Sequence, residues 1–445
     1  MKEPDVTNPP THHRLLRCGT FIDGTGNPAQ DDIAVVIDGD QIGSIAPWHD
    51  QVRSEVDPAD FRDLREHTIV PGLIDAHAHL CLGAPTSAGW ADAASDPIGV
   101  VAWGLASGVA ALQTGVTTIV DVGSPDGLAL RVASLIDAGL AVGPRVWAAG
   151  AAITTTAGHG AAFGTPADNA AEIVRAVRTT VAAGADLIKI MVTGGATDPS
   201  SNRRAAQYSQ DELAAAIDDA HRLGKRVVGH ANATEGITRA VHAGIDIVAH
   251  CNWLGAAPAT VDVDLNTVEA MIRQHVWIDL NIEGALRDLK GTDGAVVSCP
   301  DAAAEPANRW ELLQPLRRRG VGVYLTSDAF GPSVGRFTAS LCAARAQWGI
   351  SAEELITLVT AAPARALGID HEIGTLVPGT AADIVILHGD LRTDPDALLR
   401  PTSVYRGGVE LVANQRLHPP AAALASGAEA AAQQNLLDSV FEQLT

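Results

Sequence analysis

Apolar and polar residues follow different patterns at the ends and in the middle of the chain. Near the start, CGTFIDGTG and IAVVIDGDQIGSIAP alternate apolar and polar positions, and the Asp-Gly pairs at 23–24 and 38–39 are typical of hairpin turns. Similar β-branched runs, separated by Gly and Pro, return in GTLVPGTAADIVILHGD and PTSVYRGGVELV. We therefore predict one small β-sandwich assembled from both ends of the chain, residues 1–67 and 374–420.

Between these ends, residues 68–373 alternate short apolar or β-branched runs with stretches of helical periodicity, which is typical of a parallel sheet. The eight apolar runs are HTIVPGLIDAHAHL, TTIVDVG, RVWAAGAAIT, DLIKIMVTG, RVVGHA, DIVAHC, WIDLNIE and GVYLTSDAF. SQDELAAAIDDAHRLG and TEGITRAVHAG have helical periodicity, and the first begins like a capping box. The pattern predicts an α/β protein with a (β/α)8 TIM-like barrel, whose catalytic groups come from the carboxyl ends of the strands.

Composition narrows the class of protein. The 445 residues are 47% hydrophobic and 19% charged, which is typical of a globular protein with a large core. No run approaches the roughly 18 apolar residues that span a bilayer, and the N-terminus lacks the apolar segment of a signal peptide. The five cysteines are scattered and form no CxxC pair, which favours a reducing compartment. We expect a cytoplasmic protein.

The net charge and the C-terminal tail indicate which molecules the protein binds. With 52 acidic and 31 basic residues the formal charge is −21, which disfavours nucleic acid and anionic membranes as partners and leaves a small-molecule substrate. The alanine-rich tail, residues 421–445, is predicted to be helical. It either covers a contact between the subunits of a homo-oligomer or lies on its own domain.

Polar side chains recur where the predicted barrel strands end. His77 and His79 are two residues apart, so both face the barrel interior. Further strands end with a lysine, two histidines and an aspartate, namely Lys189, His230, His250 and Asp328. Taken singly, a strand-end histidine is more often a hydrogen-bonded core residue, and Asp328 could cap a helix. Convergence of all six groups by chance is improbable, so we predict a metal site.

With these residues the chain resembles the amidohydrolase superfamily, from about residue 14 to residue 412. VPGLIDAHAHL looks like the family's first-strand metal motif. The resemblance implies two divalent metal ions, with His77, His79 and Asp328 on one and His230 and His250 on the other. It also implies that Lys189 bridges both ions as a carbamate, and a buried lysine readily loses the proton that blocks this reaction. Zinc is the default ion, and cobalt, manganese or iron tolerate the same ligands.

A tighter resemblance is to the branch with Xaa-Pro and Xaa-Arg dipeptidases, ochratoxinase, molinate hydrolase and phenylurea hydrolases. It is carried by ITTTAGHG, ADLIKIMVTGG and QYSQDEL. The resemblance implies that His159 and Tyr208 face the substrate, unless each instead makes a hydrogen bond that stabilises a loop. The usual GGHG is AGHG here, and no acidic residue follows His159, which weakens the case for peptide specificity.

The predicted reaction is hydrolysis of an amide-type C–N bond in an amide, carbamate or urea. A hydroxide between the two metals would attack a carbonyl polarised by the His230/His250 metal. Asp328 would act as general base and then acid, and Tyr208 or His159 would donate to the oxyanion. Asp75 and Asp121 either orient the metal ligands or are structural.

The barrel mouth also suggests a substrate class. Aromatic residues after several strands favour a small molecule with an aromatic or bulky apolar group, namely Trp90, Phe163, Trp253 and Phe330. A dipeptidase or N-acyl amino acid hydrolase is also compatible, with Arg203 or Arg204 binding a carboxylate. The same barrel suits a lactonase, a mononuclear deaminase or a non-catalytic relative as well. The deaminase is disfavoured because HANATEG lacks the expected His-x-x-Glu, and the non-catalytic relative because all six ligands are present.

Overall fold

The computed structural model describes six stretches of the chain, residues 13–54, 57–83, 96–195, 201–258, 260–282 and 309–417. The predicted helical tail, Trp90 and Cys299 lie outside these residues.

Strands occur throughout the described residues. In chain order they are β1 (His13–Phe21), β2 (Gln30–Asp38), β3 (Gln41–Pro47), β4 (Phe61–Pro71), β5 (Leu73–His79), β6 (Val116–Asp121), β7 (Arg145–Ala148), β8 (Ile153–Thr154), β9 (Thr165–Pro166), β10 (Ile188–Met191), β11 (Val227–Ala233), β12 (Ile247–Leu254), β13 (Trp277–Asn281), β14 (Gly322–Thr326), β15 (Ala329–Phe330), β16 (Ile384–His388), β17 (Pro401–Arg406), β18 (Val409–Ala413) and β19 (Arg416–Leu417).

Helices alternate with the strands of the middle segment. The α-helices described are α1 (Asp50–Ser54), α2 (Pro97–Leu112), α3 (Ala129–Asp137), α4 (Ala170–Ala182), α5 (Gln210–Arg222), α6 (Thr234–His242), α7 (Leu265–Gln274), α8 (Arg309–Arg318), α9 (Phe337–Trp348), α10 (Ala352–Leu358) and α11 (Ala361–Leu367). Short 3-10 helices cover Pro58–Asp60, Pro125–Gly127, Gly331–Arg336 and Pro395–Leu399.

Both ends of the chain contribute strands to one eight-stranded sheet. Its strand order is β19-β18-β17-β16-β4-β1-β2-β3, so β4 and β16 join the N-terminal and C-terminal halves. Alternate side chains of these strands form a separate apolar core that includes Leu16, Val35, Ile384 and Tyr405. The two ends of the chain therefore depend on each other for burial of their apolar faces.

The middle segment forms a barrel of parallel strands. One sheet has the order β15-β5-β6-β7 and the other the order β14-β13-β12-β11-β10-β8-β9. The chain passes between the two sheets twice, from β7 to β8 and from β14 to β15. Backbone bonds cross each seam, from Asp186 N to Ala148 O at 3.0 Å and from Asp328 N to His77 O at 2.9 Å. This is the predicted (β/α)8 arrangement, with every predicted apolar run contributing a strand.

The first predicted run, HTIVPGLIDAHAHL, divides into two strands with different partners. Its first part ends β4 in the mixed sheet, and its second part is β5 of the barrel. Gly72 separates them, and a Cβ at this position would lie 2.0 Å from Thr117 Oγ1. The close approach of backbone and Thr117 requires glycine at the point where the chain leaves one sheet for the other.

Local sequence signals are confirmed at one hairpin and at two helices. Gly39 and Asp40 join the antiparallel strands β2 and β3, whereas the first Asp-Gly pair lies in a longer loop between β1 and β2. Helix α5 begins with the predicted capping box of Ser209 and Glu212. Gly224 and Gly244, with φ of 71° and 91°, follow α5 and α6.

Two further features follow from the described residues. Cys18, Cys81, Cys251 and Cys342 are buried free thiols.

Among the residues that the structure describes, no helix combines the length and apolar character that crossing a bilayer requires.

Candidate metal centre

The carboxyl ends of the barrel strands bring six polar side chains together. The group comprises His77 and His79 at the end of β5, Lys189 on β10, His230 on β11, His250 on β12, and Asp328 between β14 and β15. The five nitrogen-bearing side chains are all buried, whereas the Asp328 side chain is 30% exposed. Parallel strands place their ends at one face of a barrel, so residues far apart in sequence meet there.

One half of the centre surrounds the Asp328 carboxylate. Its Oδ1 lies 3.4 Å from His77 Nε2 and 3.5 Å from His79 Nε2. Lys189 Nζ lies 3.4 Å from the same His77 nitrogen. Three nitrogen atoms and a carboxylate oxygen therefore face a common point.

The other half is formed by His230 and His250. His250 Nε2 lies 2.8 Å from His230 Nδ1, and the His250 ring centroid is 5.4 Å from that of His77. One potential ligand atom from each of His77, His250 and Asp328 lies within 4.8 Å of the others. The two halves thus adjoin, with Lys189 beside them.

Burial favours the neutral form of three imidazoles in this cluster, those of His77, His230 and His250. Removal from water lowers the pKa of His77, and it lowers the pKa of His230 and His250 far below the ordinary value. Neutral imidazoles have a lone pair available for a metal ion. Burial also raises the pKa of Asp328, but His77, His79 and Lys189 outweigh it, so the net shift is downward and the carboxylate is ionised.

Lys189 is the unusual member of the donor set. Burial lowers the pKa of its amine to about 8, against the opposing charges of Asp279, Asp328 and Asp121. A minority of the amine, roughly one tenth at pH 7, is therefore neutral and available to react. Neutral imidazole nitrogens and an ionised carboxylate suit zinc and similar ions. The residues present therefore fit a divalent metal centre.

Asp279 on β13 supports His77 and was not predicted from the sequence. Its Oδ2 lies 2.5 Å from His77 Nδ1, and its Oδ1 accepts hydrogen bonds from Thr326 Oγ1 at 2.5 Å and Asn281 Nδ2 at 3.3 Å. This contact leaves Nε2 of His77 facing the cluster. The signal in the sequence was a lone carboxylate in the buried run WIDLN, since such a charge needs a partner.

Asp75 and Asp121 act on the centre through the backbone. Ser327 donates to Asp75 from its N at 3.0 Å and from its Oγ at 2.5 Å. Asp121 accepts from Leu80 N at 2.8 Å and Gly123 N at 3.1 Å. The Gly123 carbonyl in turn lies 2.8 Å from His79 Nδ1. Each carboxylate thus fixes a segment that carries or contacts one of the six side chains.

Two asparagines support His230. Asn232 Nδ2 lies 2.8 Å from His230 Nε2, and Asn252 Nδ2 donates to Asn232 Oδ1 at 2.6 Å. Both asparagines are buried and follow a histidine by two residues, in HAN and HCN. On β11 that spacing places Asn232 on the same face as His230, and it was an unused signal.

His159 lies beside His230, with 4.3 Å between the ring centroids. Its backbone N donates to Gln207 Oε1 at 2.7 Å, and Gln207 Nε2 donates to the Met191 carbonyl at 2.7 Å. A Cβ on Gly195 would lie 2.3 Å from the His159 ring, so this glycine permits the ring's position. Gln207, which the sequence did not single out, therefore connects the His159 loop to strand β10.

The Tyr208 hydroxyl points to a loop carbonyl. It donates to Ala167 O at 3.0 Å, and the side chain is buried. This is a loop-stabilising hydrogen bond, the second of the two roles expected for Tyr208. In this arrangement the Tyr208 hydroxyl proton is used in the hydrogen bond to the Ala167 carbonyl. Donation from Tyr208 to an oxyanion stays a prediction.

The aromatic residues expected at the mouth separate into two groups. Phe163 and Phe330 flank His79, with ring centroids at 6.3 and 5.2 Å. Trp253 is fully buried in the main core, so its expected place at the mouth is wrong. The cause is the irregular end of β12, where His250 and Trp253 have φ of 68° and 51°.

Arg204 joins two loops at the barrel mouth. Its Nη1 donates to the carbonyls of Gly255 at 2.6 Å and Ala257 at 2.8 Å, which follow β12. Arg203 is partly buried beside it. Arg204 therefore has a structural task besides any contact with a substrate carboxylate.

A family model and a curated relative both match most of this chain. The family model described as "Amidohydrolase family" matches residues 68–411. Ochratoxinase of Aspergillus niger is 26% identical over 433 residues, which cover 88% of this chain and 85% of that protein.

Solved structures share the fold over almost the whole chain. A Xaa-Pro dipeptidase with bound methionine in its active site aligns with a TM-score of 0.76 and 24% identity, over 89% of this chain and 99% of that chain. Ochratoxinase of A. niger aligns with a TM-score of 0.76 and 24% identity, over 90% and 96%. Molinate hydrolase and phenylurea hydrolase B align at 0.74 and 0.71, with 22% and 20% identity, over 90% and 91% of this chain and 94% and 98% of those chains. The predicted resemblance to this branch is confirmed.

The contact between Asp279 and His77 leads to a first prediction. Asp279→Asn should weaken metal binding roughly 10- to 100-fold, because the hydrogen bond that orients a ligating imidazole loses its charged acceptor. Titration of the metal against a competing chelator measures this change. Asp383→Asn, which alters a buried carboxylate paired with Arg145, is the matched control. Equal metal affinity in both variants would show that Asp279 does not position His77.

Proposed function

The chain belongs to the amidohydrolase family, and on that premise we propose that it is a metal-dependent hydrolase of an amide-type C–N bond. The bond lies in an amide, carbamate or urea of a small molecule with an aromatic or bulky apolar group. One observation carries the proposal, the convergence of four buried imidazoles, Lys189 and an ionised Asp328 at the barrel mouth.

These residues divide between two divalent cations in the proposal. His77, His79 and Asp328 would hold one ion, and His230 and His250 would hold the other. Such cations supply Lewis acidity for a carbonyl and acidify water at neutral pH. Zinc suits this mixture of nitrogen and oxygen donors best.

Lys189 joins the two groups of ligands as a carbamate in this proposal. The neutral amine attacks carbon dioxide, an N–C bond forms, and one proton is released to solvent. The product carries an anionic carboxylate in place of a potential ammonium. Burial of Lys189 supports this step, because it lowers the pKa of the amine to about 8 and so exposes its lone pair.

Asp328 moves the proton in the proposed reaction. Oxygen of a water molecule forms the new bond to the carbonyl carbon, and Asp328 accepts the proton released from that water. Asp328 then gives the proton to the nitrogen as the C–N bond breaks. Its ionised state and partial exposure support this role.

His159 is the residue that we propose to stabilise the developing oxyanion. It lies beside His230, and Gln207 and Gly195 fix its position. A donor aimed at an oxyanion typically contributes ~3 kcal/mol to lowering the barrier. Tyr208 would join it only if its hydroxyl left the Ala167 carbonyl.

A hydrolysis screen tests the function directly. Zinc-loaded protein should hydrolyse aryl amides, carbamates or ureas with kcat/KM at least about tenfold above that for aliphatic dipeptides, because a pocket lined by Phe163 and Phe330 favours flat apolar groups. A chelator should abolish turnover and added metal should restore it. His230→Ala should be inactive, with His221→Ala, a partly exposed histidine paired with Asp246, as the control. Preference for dipeptides would favour a peptidase instead.

Lys189→Ala should lose most activity and much of the bound metal, because an anionic ligand shared by both ions would be gone. A short carboxylic acid should partly restore the rate by taking the place of the carbamate. Independently of activity, wild-type protein supplied with ¹³C-bicarbonate should show a carbamate carbon signal in its NMR spectrum that Lys189→Ala lacks. Lys225→Ala serves as the control. Full activity in Lys189→Ala would end the two-metal proposal.

Asp328→Asn separates proton transfer from metal binding. The amide keeps an oxygen near the ion but accepts no proton, so kcat should fall at least about 100-fold, the usual scale for general acid–base catalysis. Bound metal, measured by elemental analysis, should change far less. If the Asp328→Asn protein instead lost its metal but regained full activity when metal was added back, Asp328 would be a metal ligand and not a general base.

A further inference from the structure

The centre is bordered by an apolar surface on the His79 side. The rings of Phe330 and Phe163 meet the His79 ring edge-on, with centroids 5.2 and 6.3 Å away. They pack with three aliphatic side chains in one cluster. We call this cluster the apolar wall; Phe330 is its partly exposed member, and it packs on the buried side chains of Leu82, Ala152, Phe163 and Met191.

The His230 side of the centre is polar. Asn232 Nδ2 lies 2.8 Å from His230 Nε2, and the Gly194 carbonyl lies 3.2 Å from the same nitrogen. The His159 ring covers this side at 4.3 Å. A substrate that spans the centre therefore meets apolar atoms at one end and hydrogen-bonding groups at the other.

The backbone fixes the apolar wall in place. A Cβ on Gly123 would lie 3.6 Å from the Phe163 ring, and one on Gly160 would lie 3.2 Å from it, so the ring packs directly on two glycines. Phe330 pairs with His79 between β15 and β5, and its N donates to Ser333 Oγ at 3.0 Å. Phe330 is also partly exposed. The wall exists before any substrate binds, which reduces the entropy cost of binding.

Asp328 fixes which end of the substrate faces this wall. Its Oδ1 lies 3.5 Å from His79 Nε2, and Phe330 follows it by two residues. In the proposed function Asp328 delivers the proton to the leaving nitrogen, so that nitrogen must lie within hydrogen-bond reach of its carboxylate. A substituent on the nitrogen then meets the wall, and the acyl substituent extends toward His159.

We propose that the apolar wall binds an aromatic ring carried on the nitrogen of the scissile bond. The substrates are then N-aryl amides, N-aryl ureas or N-aryl carbamates, and the product released at the wall is an arylamine. Water oxygen bonds to the carbonyl carbon, the C–N bond breaks, and the nitrogen takes a proton through Asp328, so no oxidant or further reactant is needed. This inference rests on the proposed function.

An isomeric pair of amides tests the orientation. Acetanilide carries its ring on nitrogen and N-methylbenzamide carries it on the carbonyl, while their atoms are the same. Each kcat/KM is divided by the alkaline hydrolysis rate constant of the same compound, which removes intrinsic reactivity. Acetanilide should then be favoured at least about tenfold, since the wall contacts only its ring.

Variants of Phe330 assign the preference to the wall. Phe330→Ala should lower kcat/KM for acetanilide roughly 10- to 100-fold and that for N-methylbenzamide about threefold or less. Phe330→Leu, which keeps an apolar side chain, should have a smaller effect in the same direction and serves if the alanine variant does not fold. Phe61→Ala removes a phenylalanine packed on Trp48 in the other sheet and is the matched control.

Binding of the product provides a readout besides turnover. Aniline should bind zinc-loaded wild-type protein about tenfold more tightly than it binds Phe330→Ala in calorimetry, with Phe61→Ala unchanged. The inference would be overturned if kcat/KM, divided by the alkaline rate constant, were higher for N-methylbenzamide than for acetanilide. It would also be overturned if Phe330→Ala lowered kcat/KM equally for both isomers. Absence of turnover for every amide, with aniline binding still dependent on Phe330, would support the wall and reject the proposed function instead.

Discussion

Burial of the Lys189 nitrogen among imidazoles is the constraint on which the rest of the barrel mouth depends. The side chain is 2% exposed, and its Nζ has a histidine nitrogen, not a carboxylate, as its hydrogen-bonding neighbour. Burial lowers the pKa of this amine to about 8, and the charges of Asp279, Asp328 and Asp121 oppose the shift only in part. Burial therefore shifts the balance toward the neutral, reactive amine.

The same contacts close the barrel and build the centre. Asp328 N donates to His77 O across the seam between β14 and β5, so the bond that joins the sheets also places a carboxylate beside two histidines. Asp75 holds Ser327, the residue before Asp328, and Asp279 holds His77 itself. Loss of one such carboxylate would leave buried donors unpaired, a cost of about 1–3 kcal/mol each. The same hydrogen bonds therefore stabilise the fold and fix the positions of the side chains in the site.

Residues whose role follows from their position on a strand could be predicted from the sequence. Residues whose role depends on contacts between distant segments could not. The six converging side chains were identifiable because they lie at strand ends and because a period of two fixes the facing of His77 and His79. Asp279 was missed, since nothing local shows which buried carboxylate meets a histidine from another strand. Trp253 was misplaced because left-handed residues at the end of β12 break that period. Gln207 was missed because its role appears only when two loops meet.

Substrate specificity has a different structural basis from the metal centre. The six side chains of the centre lie on strands or on the seam between them, where continuous pairing allows little movement. Phe163 and His159 lie on a loop held by side-chain contacts that include Gln207, Thr154 and three glycines on which the two rings pack. Changes in such a loop alter the pocket while leaving strand pairing intact. A barrel built in this way can keep its strand-end side chains while its loops vary. The departure from GGHG to AGHG falls in that loop, beside His159.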